Sequence, residues 1–206
     1  MIRKKVILIT GAGGEVGSHL IKILTKNSTT NIITLDLHPL NSNIGNLVNE
    51  QIIGNILDKK LLDQINIEYE IIEIFHLAAI LSTRSELSPD IAHDINVNGT
   101  MNLLEMALKQ SKSQGGTSVK FFFPSSIAVY GMKNKNIKCT ENECLNPITI
   151  YGANKLYSEN LGLYYSKYYS QLTKNKDFID FRCIRFPGII SSDTIPSGGT
   201  SDFIPE

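Results

Sequence analysis

The sequence contains little that would point to nucleic acid or a membrane as a partner. Its 206 residues include 20 Lys and Arg against 20 Asp and Glu, so the formal net charge is +0 at pH 7. Such a chain has no global field that would attract nucleic acid or an anionic membrane surface. No segment approaches the roughly 20 apolar residues that a helix needs to cross a bilayer. The richest run, residues 71–81, is shorter and contains Glu73 and His76. We therefore expect neither kind of partner.

The chain is also poor in cysteine, and it has no tryptophan. Its three cysteines, Cys139, Cys144 and Cys183, are spaced neither as a paired disulfide framework nor as metal ligands. The basic start is followed by an apolar run, residues 6–9, that is too short for a signal peptide and ends in a glycine-rich turn. These features favour a reducing, cytoplasmic location and no bound metal.

Short β-rich runs alternate with helical stretches, which predicts a parallel sheet covered by helices. The predicted strands are residues 5–10, 31–36, 51–54, 71–77, 119–125 and 178–186. The predicted helices are residues 14–26, 57–65, 88–111 and 154–172. The polar stretches 111–117, 132–142 and 172–177 are predicted to be loops.

A glycine-rich turn directly follows the first predicted strand. Gly11, Gly14 and Gly17 lie three residues apart where this strand ends and a helix begins. Glycine lets the backbone approach a pyrophosphate there, and the charge of the pyrophosphate is then bound by free N–H groups of the helix N-terminus. Glycine-rich turns also occur without ligands, but the succession of strand, turn and helix favours dinucleotide binding.

Asp36 ends the second predicted strand, 19 residues after Gly17. A carboxylate at this position can accept hydrogen bonds from the adenosine ribose hydroxyls and would repel a 2′-phosphate. No Arg or Lys follows it in residues 37–39, so the sequence favours NAD over NADP. The alternative is a solvated aspartate in a turn.

Tyr151 and Lys155 lie four residues apart, a spacing that places both on one face of a helix. An ammonium group favours the phenolate, so we expect Lys155 to lower the pKa of Tyr151 toward the range of a general base. This spacing is common by chance. Ser126 distinguishes the pair, because it lies 25 residues upstream at the end of the fifth predicted strand. Its hydroxyl would open into the crevice where α/β sheets bind ligands.

These motifs together resemble the extended short-chain dehydrogenase/reductase family, the group of nucleotide-sugar epimerases and dehydratases. The resemblance covers nearly the whole chain and is carried by the glycine turn, Asp36, residues 76–79, residues 96–100, Ser126 and the Tyr151/Lys155 pair. It implies an α/β fold, a Rossmann-type doubly wound parallel sheet with strand order 3-2-1-4-5-6. It also implies NAD as the cofactor and a small molecule as the substrate.

The same resemblance assigns roles to individual residues. It implies that Ser126, Tyr151 and Lys155 are catalytic. It implies that the cofactor contacts Gly11, Gly14, Glu15, Val16, Gly17, Asp36, Asn55, Ile56, Leu77, Ala78, Ala79, Asn96, Tyr151, Lys155 and Pro187. Asn96 would lie behind Lys155. The family often has Asp where this chain has Asn55, and an amide there can still bond the adenine amino group.

Within the family, the chain most resembles the short-chain-type L-threonine 3-dehydrogenases, on residues 76–82, 124–131, 181–191 and 198–202. This implies oxidation of L-threonine to 2-amino-3-oxobutanoate, with Ser82, Ser126, Tyr151 and Thr200 holding the substrate. Two alternatives stay open. One is a nucleotide-sugar 4-epimerase or dehydratase with tightly bound NAD, and the other is an NAD-binding fragment without turnover. Family members usually continue further, so we expect residues 1–206 to form one NAD-binding domain in which 192–206 begin a largely absent substrate lobe.

A homodimer is the expected protein partner, from pattern and resemblance together. Leu103, Leu104, Ala107 and Leu108 recur at helical spacing on the helix predicted at 88–111. The helix predicted at 154–172 carries Tyr157, Leu161, Tyr164, Tyr165 and Tyr168 on more than one face. Packing against a sheet needs only one apolar stripe, so the surface left over favours pairing of these two helices across a dimer. The alternative is that a C-terminal lobe or solvent covers this surface.

Overall fold

Six parallel strands form the sheet that positions the candidate site. The structure is a computed structural model, and it describes residues 3–131, 138–169 and 179–189. The strands are β1 (Lys4–Thr10), β2 (Asn31–Asp36), β3 (Glu50–Ile53), β4 (Tyr69–His76), β5 (Val119–Ser126) and β6 (Ile179–Phe186). They are arranged in the order β3-β2-β1-β4-β5-β6 and every pair is parallel. The predicted strand order is therefore confirmed, and the strand order reverses between β1 and β4, where such sheets open a ligand crevice.

Seven α-helices cover the described part of this sheet. They are α1 (Glu15–Asn27), α2 (Ser42–Gly45), α3 (Lys59–Glu68), α4 (Ser82–Leu87), α5 (Pro89–His93), α6 (Gly99–Ser113) and α7 (Ile150–Lys167). A π-helical turn (Asp94–Asn98) separates α5 from α6, and a 3₁₀ turn (Ile127–Val129) follows β5. The helix predicted at 88–111 is thus three segments, and the short helices α2 and α4 were not predicted.

The start predicted for α7 was wrong, because the helix begins at Ile150 and not at residue 154. Thr149 is its N-cap, and the Thr149 hydroxyl accepts a hydrogen bond from the Gly152 N–H at 3.0 Å. A hydroxyl at the N-cap satisfies a donor that the helix itself leaves unpaired. This cap places Tyr151 inside the first turn of the helix, where the backbone fixes its direction.

Each face of the sheet contributes to a separate hydrophobic core. The larger core lies between the sheet and α3, α6 and α7, and it contains fully buried side chains such as Leu8, Leu103, Phe121 and Phe123. The smaller core lies under α1 and α2 and includes Ile9, Ile21 and Ile44. No helix of the described ranges is long and apolar enough to cross a membrane.

The cysteine prediction needs one correction. Cys139 and Cys144 lie within reach of a disulfide bond, with their Cα atoms 6.5 Å apart. Cys144 has a positive φ of 58°, which turns the chain back on itself within a short loop and brings the two side chains together. A spacing of five residues does not by itself predict that two cysteines meet, because their meeting here depends on the left-handed backbone of Cys144.

Candidate active site

The glycine turn between β1 and α1 is shaped by close backbone contacts. Gly11 has a φ of +66°, and a Cβ atom there would lie 2.5 Å from the Ala78 backbone nitrogen. A Cβ atom on Gly17 would lie 2.6 Å from the Ala12 carbonyl oxygen. Both positions therefore require glycine. The first brings the turn against the end of β4, and the second lets α1 begin directly behind the turn.

The N-terminus of α1 has the features of an anion site. Its N-cap is Gly14, which has no side chain to cap the first-turn N–H groups of Glu15, Val16 and Gly17. These groups lack partners within the helix and carry the positive end of its dipole. One carboxylate oxygen of Glu15 is buried without a hydrogen-bond partner among the described residues. An acceptor of this kind suits a ligand hydroxyl.

Asp36 lies beside this turn, at the end of β2. Its Oδ2 accepts a hydrogen bond from the Gly13 N–H at 2.9 Å, and its Oδ1 accepts one from the Leu37 N–H at 2.7 Å. A Cβ atom on Gly13 would lie only 3.4 Å from Oδ2. The carboxylate is therefore fixed next to the glycine turn, where the ribose of a bound dinucleotide is expected.

The two residues expected at the adenine, Asn55 and Ile56, differ in the exposure of their side chains. Asn55 is exposed, and its Oδ1 accepts a hydrogen bond from the Leu57 N–H at 2.9 Å. Ile56 is buried, and its side chain packs so closely under Gly99 that a Cβ atom there would be 2.4 Å from Ile56 Cδ1. The Ile56 side chain thus belongs to the core, so this residue can offer a ligand only its backbone.

The end of β4 is tied to the end of β1. The Leu77 N–H donates to the Thr10 carbonyl oxygen at 3.0 Å, and the Ala78 N–H donates to Thr10 Oγ1 at 3.4 Å. Leu77, Ala78 and Ala79 are all half-buried. The structure therefore brings Leu77 and Ala78 to the glycine turn, and Ala79 follows them in the chain.

His76 is a structural residue in this arrangement. Thr10 Oγ1 lies 2.8 Å from Nδ1, and Thr100 Oγ1 lies 2.9 Å from Nε2. The Thr100 hydroxyl donates its own hydrogen to the Asn96 carbonyl oxygen at 2.6 Å. Nε2 must therefore carry the proton, and Nδ1 accepts from Thr10. Burial lowers the pKa of His76 to about 3, with a smaller effect from Lys155, so the ring is neutral at physiological pH.

The 3₁₀ turn after β5 brings Ser126 and Tyr151 toward one another. Ser126 Oγ accepts a hydrogen bond from the Ala128 N–H at 3.1 Å. A Cβ atom on Gly152 would lie 2.1 Å from the Ala128 carbonyl oxygen. Because Gly152 has no side chain, the first turn of α7 rests directly on the turn that holds Ser126. Residues 25 apart in sequence are joined in this way.

Lys155 is almost completely buried next to these two residues, with 4% of its surface exposed. Its ammonium group donates to the Pro124 carbonyl oxygen at 2.7 Å. It lies 4.5 Å from the centre of the Phe123 ring and 5.5 Å from that of the Tyr151 ring. Burial lowers the pKa of Lys155 to about 8, although Cys183 and Glu159 act in the opposite direction.

The expectation that Lys155 lowers the pKa of Tyr151 is wrong for this structure. Burial instead raises the pKa of Tyr151 to about 12. The physical reason is that the phenol loses its hydration, while the Lys155 ammonium is directed to the Pro124 carbonyl oxygen. Burial therefore disfavours the phenolate form of Tyr151 at neutral pH.

Asn96 lies next to α7 and holds the backbone there. Its amide forms two hydrogen bonds to Ile80, accepting from the N–H at 2.8 Å and donating to the carbonyl oxygen at 3.0 Å. The Asn96 carbonyl oxygen accepts from the Ser158 hydroxyl at 3.2 Å. Ser158 lies on α7, three residues after Lys155. Asn96 thus connects the end of β4 with the helix that carries Lys155.

The residues expected to hold the substrate are only partly described. Ser82 is half-buried at the start of α4. Pro187, expected at the cofactor, is exposed just beyond β6. Thr200 and the whole stretch 192–206 lie outside the described residues, as do the predicted loop 172–177 and residues 132–137 of another.

Sequence reasoning missed two contacts that position the site. Glu86 on α4 accepts a hydrogen bond from the Ile150 N–H at 2.8 Å, immediately before Tyr151. Arg185 on β6 forms a two-pronged ion pair with Glu159 on α7. Both join residues far apart in sequence, so neither leaves a local motif. The signal in the sequence was a Glu one helical turn after Lys155.

The surface argument for the dimer is wrong for one of its two helices. Leu103, Leu104, Ala107 and Leu108 on α6 are all buried inside this chain, in the larger core. The tyrosines of α7 behave differently, because Tyr157, Tyr164 and Tyr168 remain about half exposed. The apolar spacing on α6 is thus explained by the sheet beneath it.

The chain is similar to known NAD-dependent enzymes over nearly its whole length. The sequence profile of the family described as GDP-mannose 4,6 dehydratase matches residues 8–178. The chain belongs to the extended short-chain dehydrogenase/reductase family. The mitochondrial L-threonine 3-dehydrogenase of Sus scrofa is 33% identical over 96% of this chain. The match includes 49% of the pig enzyme, so the chain spans about half the length of that relative.

Solved structures in this family share the fold. A monomeric L-threonine 3-dehydrogenase from a metagenome, in its apo form, is 36% identical with a TM-score of 0.75. That match covers 95% of this chain and 58% of the other. A UDP-glucose 4-epimerase from Brucella ovis, solved in complex with NAD, is 25% identical with a TM-score of 0.70 and is matched over 88% of this chain and 51% of its own. NAD is the family's cofactor, and the uncapped helix, Asp36 and the glycine cradle described above fit it.

Proposed function

We propose that this chain forms the NAD-binding and catalytic domain of a dehydrogenase that oxidises L-threonine to 2-amino-3-oxobutanoate. Residues 1–206 would act as one NAD-binding unit. The observation that carries the proposal is the packing of Gly152 on Ala128, which brings Tyr151 and Ser126 together beside buried Lys155. This group lies at the carboxyl ends of the strands, on the same edge as the glycine turn. Acid–base chemistry and a dinucleotide would therefore meet in one crevice.

The residues of the chain divide the reaction between them. Tyr151 as phenolate would take the proton of the substrate hydroxyl, while Ser126 donates a hydrogen bond to the same oxygen. The carbon–hydrogen bond at that carbon breaks with both electrons leaving as hydride, so the hydroxyl carbon becomes a carbonyl. NAD supplies the hydride acceptor when it is bound. General acid–base groups of this kind contribute about 10²–10⁴-fold to turnover.

Lys155 has two proposed tasks. Its ammonium lies 5.5 Å from the centre of the Tyr151 ring, where positive charge favours the phenolate. It would also hold the nicotinamide ribose, exchanging its hydrogen bond to Pro124 for a ribose hydroxyl. Because burial raises the pKa of Tyr151 to about 12 and lowers that of Lys155 to about 8, we expect turnover to increase as the pH is raised from neutral and to fall again above about pH 8, where Lys155 loses its charge.

L-Threonine is favoured as the substrate by the named similarity to L-threonine 3-dehydrogenases. The second candidate is a nucleotide-sugar 4-epimerase or dehydratase with tightly held NAD, which is favoured by the family profile and by the similarity to a UDP-glucose 4-epimerase. Both would use the same Ser126, Tyr151 and Lys155. They differ in whether reduced cofactor accumulates.

The deciding experiment measures NADH absorbance and NAD binding on the purified chain. Formation of NADH that depends on L-threonine would support the dehydrogenase. Interconversion of a UDP-sugar without net NADH would support the epimerase. Binding of NAD with neither activity would identify a non-catalytic dinucleotide-binding module. L-Serine and the C3 epimer of threonine serve as matched substrates that test recognition of the methyl group and of the hydroxyl configuration.

We also propose that the chain forms a homodimer through α7. Tyr157, Tyr164 and Tyr168 are 54%, 48% and 53% exposed, and Leu163 is 40% exposed beside them. Tyrosine is enriched in interfaces because it buries a large apolar area while its hydroxyl stays hydrated. Sedimentation at micromolar concentration tests this. A folded, purely monomeric species, as in the monomeric relative, would contradict it.

The cytoplasm is the proposed compartment. The Cys139–Cys144 pair offers a direct test, because a disulfide persists in an oxidising compartment and is rare in a reducing one. Cells quenched in acid and treated with an alkylating reagent should yield three modified cysteines by mass spectrometry. A bonded Cys139–Cys144 pair in such material would contradict a reducing location.

A further inference from the structure

Arg185 and Glu159 form an ion pair that the proposed reaction does not use. Arg185 Nε donates to Glu159 Oε1 at 2.9 Å, and Arg185 Nη2 donates to Glu159 Oε2 at 2.7 Å. The side chains are only 18% and 9% exposed. Two parallel bonds of this kind fix the relative orientation of both groups. The pair therefore joins β6 and α7 in a single geometry.

Glu159 lies one helical turn after Lys155. Residues four apart on a helix share a face, with their Cβ atoms about 5–6 Å apart. Lys155 is 4% and Glu159 is 7% exposed, so little water separates the two side chains. Glu159 raises the pKa of Lys155 against the effect of burial. The carboxylate is thus close enough to attract the ammonium group.

Arg185 is itself held by two further elements. Its Nη1 donates to the Tyr130 hydroxyl at 2.7 Å and to the Glu141 carbonyl oxygen at 2.6 Å. The guanidinium also lies over the Tyr130 ring, 4.9 Å from its centre. These contacts fix the Arg185 guanidinium independently of its ion pair with Glu159.

Few charges act on Lys155 at neutral pH. The titratable groups that interact with it are Tyr151 and Glu159 from α7, Cys183 from β6 and His76 from β4, and Arg185 from β6 is bound to Glu159. Burial keeps Tyr151 and Cys183 protonated, with pKa values of about 12 each, and keeps His76 neutral. Within the described residues, Glu159 and Arg185 are therefore the charged members of this group.

We propose that Arg185 is a positioning residue for Lys155. It holds the Glu159 carboxylate in the two-pronged pair and so prevents this carboxylate from drawing the Lys155 ammonium away from Pro124 and Tyr151. The proposal deepens the proposed function, which gives Lys155 its role, but it concerns a charge balance within the chain. It can therefore be tested without cofactor or substrate.

The test is the titration of Lys155 by NMR in protein labelled with ¹³C at lysine Cε, with the signal assigned from Lys155→Met. The Cε chemical shift reports the charge of the amine directly. Glu159→Gln should lower the midpoint, because the attracting carboxylate is gone and the Arg185 cation remains. Arg185→Met should raise the midpoint, because an unpaired carboxylate then acts on the ammonium. The double variant should titrate closer to the wild type than either single variant.

Two further variants keep the outcome unambiguous. Arg185→Lys retains the positive charge but cannot form the two-pronged pair with Glu159, so it should raise the midpoint of Lys155 less than Arg185→Met does. It replaces Arg185→Met if that variant does not fold. Glu73→Gln removes the carboxylate of the Lys120–Glu73 pair, which is 2.6 Å long and lies on the same sheet. It should leave the Lys155 midpoint unchanged.

Shifts of opposite sign cannot come from a general loosening of α7. The proposal is overturned if the Glu159 and Arg185 variants move the midpoint in the same direction, or if neither moves it. It is also overturned if Glu73→Gln moves it as far as Glu159→Gln does. Because no arm of the experiment contains NAD, a failure of the proposed dehydrogenase function leaves this result intact.

Discussion

The two halves of the sheet form their parts of the crevice by different means. Around β1, the shape depends on missing side chains, since Gly11 and Gly17 bring backbone within 2.5–2.6 Å of where a Cβ atom would be. Around β5 and β6, it depends on side chains that reach across the fold, such as Glu86 to the Ile150 N–H and Arg185 to Glu159. The first half is therefore sensitive to any added atom, and the second to the loss of single functional groups.

The largest expected effect is on turnover in Tyr151→Phe, a change in the half around β5 and β6 that should leave NAD binding by the half around β1 nearly unaffected. Tyr151→Phe removes only the phenolic oxygen, so turnover should fall by about 10²–10⁴-fold, the usual contribution of a general acid–base group. NAD affinity should stay within about twofold, because the glycine turn and Asp36 are untouched. Initial rates of NADH formation and equilibrium binding of NAD measure the two effects on the same sample. Wild-type turnover would assign the proton transfer to another residue.

The second prediction concerns the half that depends on missing side chains. Gly11→Ala should lower the free energy of unfolding by about 3 kcal/mol, because strain at positive φ adds to a backbone clash. It should also abolish measurable NAD binding. Gly115→Ala is the matched control, since Gly115 has a φ of +70° and nothing within 4 Å of the added carbon.

Gly115→Ala should therefore cost only about 1 kcal/mol, the strain of the left-handed backbone. Urea denaturation of both variants gives the comparison. Equal losses would show that the contact between Gly11 and Ala78 has no importance of its own.

The same contrast explains what could be predicted from the sequence. The parallel sheet and the glycine turn were predictable because each is encoded locally, by alternation of strands with helices and by three glycines at fixed spacing, whereas the strand order followed from the family resemblance. Thr149 is a local signal for the start of α7, because its hydroxyl caps the helix four residues before the predicted start. Local signals thus sufficed wherever the physical cause was local.

The electrostatics of the half around β5 and β6 could not be predicted from local sequence signals. Spacing showed that Lys155 and Tyr151 share a face, but the direction of the Lys155 ammonium depends on the Pro124 carbonyl oxygen from another element. The pKa of Tyr151 is raised and not lowered, because the phenol is buried. The apolar spacing on α6 was equally ambiguous, because the same pattern serves a core or an interface, and only the packed sheet decides between them.

A third prediction concerns His76, which lies where the two halves meet. The unfolded chain would protonate His76 below its ordinary pKa of 6.5, whereas the folded chain does so only near pH 3. Between these values the unfolded state binds more protons, so stability should fall as the pH is lowered, by up to about 1.4 kcal/mol per pH unit. His76→Gln should remove this part of the slope. Unfolding free energies measured from pH 7 to pH 4 would contradict the assignment if both proteins changed in parallel.

The smallest expected effect concerns cofactor choice at Asp36. Asp36→Ala should relax the preference for NAD over NADP, but it also removes the acceptor of the Gly13 N–H. Asp36→Asn separates the two causes, because its amide oxygen can still accept from Gly13 while the negative charge is lost. If repulsion of a 2′-phosphate sets the preference, Asp36→Asn should improve NADP binding relative to NAD by about tenfold, a difference of about 1.4 kcal/mol.

Dissociation constants for both dinucleotides, measured at low and high salt, provide the test. The gain should shrink at high salt, where charges near the surface are screened. An unchanged ratio in Asp36→Asn, with a change only in Asp36→Ala, would show that Asp36 acts by shaping the glycine turn and that its charge is secondary.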